Sequence, residues 1–108
     1  MRLNKDKACS FFVDTCAEIC MHHHERYDGS GYPHKLQGND ITYYTNMLSL
    51  CVEFDRMFFK RSEYNDMQFD FIMRELDVDT GQFDRDYIDL MNRCRHQIMM
   101  YYRLLQKE

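Results

Sequence analysis

Proline occurs once among 108 residues, glycine four times, and β-branched residues are few beside nine methionines. That shortage leaves little material for strands or for many tight turns and favours helices. No stretch approaches the roughly 18 consecutive apolar residues that a membrane span requires. The opening Met1-Arg2-Leu3-Asn4-Lys5-Asp6-Lys7 leads into no apolar secretory segment. A soluble, cytoplasmic protein is therefore expected. An excess of positive charge is missing too: the formal net charge of −4 argues against binding a nucleic-acid polymer, which needs a basic face to release counterions. It leaves room for a small anionic ligand held by a metal and a few local cations. Internal repeats, low-complexity tracts, a Ser-His-Asp order, a glycine-rich phosphate loop and a Cys-His nucleophile pair are all absent. Five cysteines, odd in number and irregularly spaced, predict small buried hydrophobes rather than a disulfide framework.

What is present suits a folded chain. Hydrophobic residues make up 44% and charged residues 30%, enough apolar content to exclude disorder, in a length that fits one domain spanning 1–108. Helical spacing predicts a first helix from about Lys7 to His24, with Phe12, Cys16, Ile19, Cys20 and His23 on one stripe. Turn chemistry follows from Gly29 to Asp40. Asp40 suits the N-cap of a second helix over 41–59, whose apolar side holds Tyr44, Met47, Leu48, Cys51, Phe54 and Phe58. Ser62 suits the cap of a third helix with Tyr64, Met67, Phe71 and Ile72 inward. A last helix from about Asp84 carries Tyr87, Ile88, Met91, Cys94, Ile98, Tyr101, Leu104 and Leu105. The expected fold is all-α, about four helices with a long loop after the first.

The most informative string is His23-His24-Glu25-Arg26-Tyr27-Asp28-Gly29-Ser30-Gly31-Tyr32-Pro33. Neutral imidazoles ligate iron, manganese, zinc and related ions. A metal cluster of that kind can generate hydroxide near neutral pH and clamp phosphoryl oxygens. Two weaker patterns stand beside it. Cys16, Cys20 and His23 share a helix side, but one straight helix rarely closes a zinc tetrahedron. Asp77-Val78-Asp79-Thr80-Gly81 begins like a calcium loop, yet Gln82 and Ile88 stand where such a loop needs glycine and a carboxylate.

The string resembles the HHExxDGxGYP signature of the HD-GYP family, metal-dependent phosphodiesterases that open cyclic di-GMP. Leu36, Gly38 and Ile41 fit the family's G-L-x-G-x-x-I segment, 47–55 its I-L-x-V-A-D-x-Y-D helix, and Gly81-Gln82-Phe83-Asp84 its G-x-x-F-D turn. The resemblance covers roughly 17–95, the C-terminal half of an HD-GYP domain. It implies that His23 and His24 are metal ligands, with Fe, Mn or Zn as the ion or none retained, and that Glu25 orients the imidazoles. It makes Asp28, Gly29, Gly31, Tyr32 and Pro33 the GYP loop, and Lys60 and Arg61 the remnant of a phosphate-contacting R-P-Y element. The departures are as specific. A His-Asp dipeptide occurs nowhere, and Val52 occupies the place of a ligand aspartate. The resemblance thus implies a module that is catalytically inactive alone and works through protein contact or residual cyclic di-GMP binding. Alternatively, another segment or chain supplies the missing ligands. Implied partners are a GGDEF-type domain, the missing HD half, or a second copy in a homo-oligomer that covers the apolar stripes.

Overall fold

The computed structural model describes residues 5–59, 64–78 and 81–106. Among them lie five α-helices: α1 (Lys5–His22), α2 (Tyr43–Phe58), α3 (Asp66–Val78), α4 (Arg85–Arg93) and α5 (Arg95–Gln106). A single 3-10 turn at Gly38–Asp40 precedes α2. The all-α expectation holds, with one helix more than anticipated because the last predicted helix is interrupted at Cys94 (φ −94, ψ 15). The Cys94 N–H is shared between the carbonyls of Leu90 and Met91, the bifurcation common at helix ends. Beyond the break Arg95 reaches Asp70 on α3 at 2.6 Å and lies over the Phe69 ring.

Helix α2 is the central element, packing against α1, α3 and α4. Its two halves bury different chemistry. The C-terminal half contributes Leu50, Phe54 and Phe58 to a core shared with Tyr64, Phe69, Ile72, Met73, Leu76, Phe83, Ile88 and Met99. The N-terminal half buries Thr45, Asn46 and Ser49 against the loop after α1. The Asn46 amide donates to the Ile41 carbonyl at 3.4 Å, and Thr42 to the Thr45 hydroxyl at 2.7 Å. Thr42, not Asp40, is the N-cap of α2, and Asp40 falls in the 3-10 turn. Asp84 caps α4 by accepting from the Asp86 N–H at 2.9 Å. The anticipated Ser62 cap lies outside the described residues.

The predicted stripes are inward only in part: Phe54, Phe58, Tyr64 and Ile72 are buried as expected, and other members are not. On α2, Met47 and Cys51 are exposed, because the face toward the loop is the polar one. On α3, Met67 and Phe71 are exposed and Phe69, Ile72, Met73 and Leu76 point inward. Both sets have helical spacing, and only packing chooses between them. No side chain of α1 is buried among the described residues: Phe11, Phe12, Val13 and Met21 all face outward. The cysteines are free thiols, and none is buried.

Candidate metal and loop site

Residues 23–38 leave the end of α1, fold back on it and lead into α2. The close approach at Gly31 sets this geometry. A Cβ there would sit 2.3 Å from the His24 carbonyl oxygen and 2.5 Å from the Arg26 nitrogen, so only glycine lets the loop lie on that backbone. Tyr32 N–H then donates to the His24 carbonyl, and the Tyr32–Pro33 peptide is cis. Lys35 takes a left-handed φ of 53°, in the position where the family segment has its first glycine.

Glu25 is the anchor of the loop. Its side chain is completely buried, and its carboxylate accepts the His34 N–H at 2.7 Å and the Leu36 N–H at 3.0 Å. The sequence reading gave Glu25 the task of orienting the imidazoles; the structure shows it holding loop backbone. Each carboxylate oxygen can accept more than one hydrogen bond, so lone pairs remain on both.

The late G-x-x-F-D turn docks on the same motif. Tyr27 N–H donates to the Gln82 carbonyl at 2.9 Å, and the Arg26 guanidinium lies 5.1 Å from the Phe83 ring centroid. Gly81, at φ +100°, passes so close to Asp28 that a Cβ on it would sit 3.1 Å from the Asp28 Cβ. Asp28 accepts the Ser30 N–H at 2.9 Å. Hydrogen bonds from the Ser30 hydroxyl and then its N–H hold the Asp28 carboxyl below the usual carboxylate range.

His23 and His24 stand side by side with ring centroids 3.9 Å apart. His23 Nδ1 faces the carbonyls of Ile19 (3.0 Å) and Cys20 (3.2 Å). Carbonyls only accept, so Nδ1 carries a hydrogen, and in the neutral ring the lone pair is then on Nε2, the form that can ligate a metal. His24 stacks on Tyr32 at 4.8 Å. Beside them Ala17, Cys20, Met21, His24, Tyr32 and Pro33 line an open depression of about 530 Å³.

The fit to the family's metals ends with the two imidazoles. Among the described residues no further histidine, cysteine or carboxylate joins His23 and His24 at coordination spacing. Val52 is half-exposed on α2, one turn beyond Ser49, and its side chain offers no donor. Two imidazoles do not complete a metal cluster. Lys60 and Arg61 lie outside the described residues.

A different cluster is assembled next to the pair. His22 Nε2 lies 3.3 Å from His34 Nδ1, and His34 Nδ1 lies 3.9 Å from Glu25 Oε2. Candidate donor atoms of His22, Glu25 and His34 all fall within 4.8 Å of one another. Sequence reasoning passed over His22 and His34. The available signal was a histidine on each flank of the motif, but only the folded loop brings the second back to the first.

The profile of a family described as HD domain matches residues 7–86. The chain is 39% identical over 54 residues to a probable cyclic di-GMP phosphodiesterase of Vibrio cholerae, covering 50% of this chain and 12% of that protein. It is 36% identical over 80 residues to the 3'3'-cGAMP-specific phosphodiesterase 2 of the same species, covering 73% and 15%. With the cyclic di-GMP phosphodiesterase response regulator RpfG of Xanthomonas campestris it shares 33% over 88 residues, covering 81% and 23%. The chain therefore spans less than a quarter of the length of these relatives.

Proposed function

Because the chain belongs to the HD domain family and is HD-GYP-like within it, we propose that it is a partial HD-GYP module of cyclic-dinucleotide signalling. In this reading it is catalytically silent alone and acts through protein contact at the GYP loop or residual ligand binding. The observation that carries the reading is the incomplete donor set. His23 and His24 have no third ligand near them among the described residues, and Val52 stands where the family pattern has an aspartate. The loop itself is fully built, pinned by Glu25, Gly31 and Ser49, and Tyr32 is left exposed on its outer side. A rigid loop with an exposed aromatic suits a contact surface. The partner of choice is a GGDEF-type diguanylate cyclase domain.

The outward apolar side chains of α1, with Tyr101, Leu104 and Leu105 of α5, support association as well, through the missing HD half or as a homo-oligomer. A monomeric mass by sedimentation at micromolar concentration counts against the homo-oligomer. The second reading, a phosphodiesterase completed by another segment or chain, has one observation in its favour: His23 Nδ1 faces backbone carbonyls, which leaves Nε2 as the nitrogen free for a metal in the neutral ring.

Turnover of cyclic di-GMP in the presence of Mn²⁺ or Fe²⁺ separates the two. The silent module is expected to release no linear product, alone or mixed with an HD-bearing half. Turnover by the mixture, increased by Val52→Asp, establishes the second reading. In parallel, a GGDEF-type domain is expected to bind the chain and to bind Tyr32→Ala more weakly. Equal binding removes the GYP loop as the contact.

A further inference from the structure

His22 closes α1 with its ring mostly buried and Nδ1 held by Glu18 Oε1 at 2.9 Å. With a carboxylate on Nδ1, the neutral ring carries its hydrogen there and has its lone pair on Nε2, which lies 3.3 Å from His34 Nδ1. This carboxylate–imidazole pairing is what metal-bound histidines usually show behind the ligating nitrogen.

One spacing in front of His22 is already that of a bound ion; His34 Nδ1 lies 3.9 Å from Glu25 Oε2 and the three donor atoms lie within 4.8 Å, so the carboxylate closes in on binding. Ligands about 2.05 Å from a tetrahedral ion are separated from one another by roughly 3.3 Å, and His22 Nε2 and His34 Nδ1 are 3.3 Å apart. The third corner is a buried carboxylate. Among the described residues the one potentially cationic side chain within ion-pair distance of Glu25 is His34, at 3.9 Å. A buried carboxylate without a strong counter-charge is costly, and a divalent ion among these three groups supplies that charge. His22 precedes the HHE string and His34 follows the GYP, so neither is a residue to which the family signature assigns a role.

We propose that His22 Nε2, His34 Nδ1 and a Glu25 oxygen form a binding site for a first-row divalent cation, zinc foremost, distinct from the His23–His24 pair. Two imidazoles and one carboxylate suit zinc or cobalt. The fourth position is open to water. The ion clamps the GYP loop onto the end of α1, joining His34 to His22 across 12 residues. The site stands whether or not the module is catalytically silent.

The test is Co²⁺ titration of the whole chain, purified without a histidine tag, stripped by chelator and followed by visible absorption, with Zn²⁺ competition. One cobalt per chain is expected, with the intense ligand-field bands of a four-coordinate ion and no thiolate charge-transfer band. His34→Ala, at a half-exposed position where the fold should persist by circular dichroism, should weaken binding by at least about tenfold, and Glu18→Gln by about tenfold. A His23→Ala/His24→Ala double variant should retain the spectrum. Unchanged affinity in His34→Ala, a thiolate band, or loss of the spectrum in the double variant each overturns the proposal.

Discussion

The Ser49 hydroxyl lies 2.8 Å from the His23 carbonyl oxygen, 26 residues away in sequence, and donates across the gap between α2 and the end of α1. The contact explains why α2 buries a polar face at its N-terminal end. The Thr45 carbonyl, 2.9 Å from the same hydroxyl, is a second, slightly longer acceptor. Removing the hydroxyl by Ser49→Ala should cost about 0.5–1.5 kcal/mol, read as a lower urea midpoint at unchanged slope. An unchanged midpoint means the contact does not hold the motif.

Gly31→Ala should be far worse than Gly29→Ala. At Gly31 the new methyl meets backbone of three consecutive residues, His24 to Arg26, whereas at Gly29 it meets the Gln37 side chain, which can move, and bears only the penalty of a left-handed φ of +85°. The expected cost at Gly31 is at the upper end of the ~1–3 kcal/mol typical of overpacking. Thermal melts of the two variants side by side provide the check.

Lys35 offers the opposite sign. Its left-handed φ of 53° penalises any Cβ by roughly 1–2 kcal/mol, partly offset by the greater unfolded-state freedom of glycine. Lys35→Gly is therefore expected to stabilise by about 0.5–1 kcal/mol. A lower melting temperature in this variant contradicts the backbone assignment.

Glu25→Gln replaces a carboxylate that accepts two loop N–H groups with an amide that has only one acceptor oxygen. One buried N–H is left facing an NH₂. The expected cost is about 1–3 kcal/mol, and amide exchange at His34 and Leu36 should speed up in proportion. Exchange unaltered at both positions shows that Glu25 does not anchor the loop.

Tyr102 donates to Asp55 Oδ1 at 2.6 Å and packs on Phe58 and Tyr64. Burial, and then the bond to Asp55, push its phenol well above the usual tyrosine range. The folded state thus holds this proton more tightly than the unfolded chain. The resulting stability is complete below the unfolded value of about 10 and is lost as pH rises above it. Between about pH 9 and about pH 11 the urea midpoint should fall more steeply in the wild type than in Tyr102→Phe. Parallel curves rule out this contribution.

The local features of the chain were legible because they are local. The HHE-to-GYP string, the helical class, the start of the last helix near Asp84 and the late Gly-Gln-Phe-Asp turn all rest on residue types at short, fixed spacings, where backbone preference and periodicity dominate. The same spacing placed Ile72 inward but could not settle the rest of the buried face of α3, since Met67 and Phe71 repeat helically just as Phe69, Met73 and Leu76 do. Nor could it foresee the break at Cys94, which precedes the pairing of Arg95 with Asp70 on another helix.

Sequence by itself determined the family resemblance, the all-helical class, and the absence of a ligand side chain at Val52. Only tertiary structure decided that Gly81, Gln82 and Phe83 dock on Asp28, Tyr27 and Arg26, and that α2 turns a polar face to the loop. It also decided that the histidines brought together with a carboxylate are His22 and His34 rather than His23 and His24. The physical reason is that coordination and packing depend on distances between groups far apart in the chain. Those distances are set by loop closure, here by Gly31 lying on the His24–Arg26 backbone and Glu25 gathering the amides of His34 and Leu36.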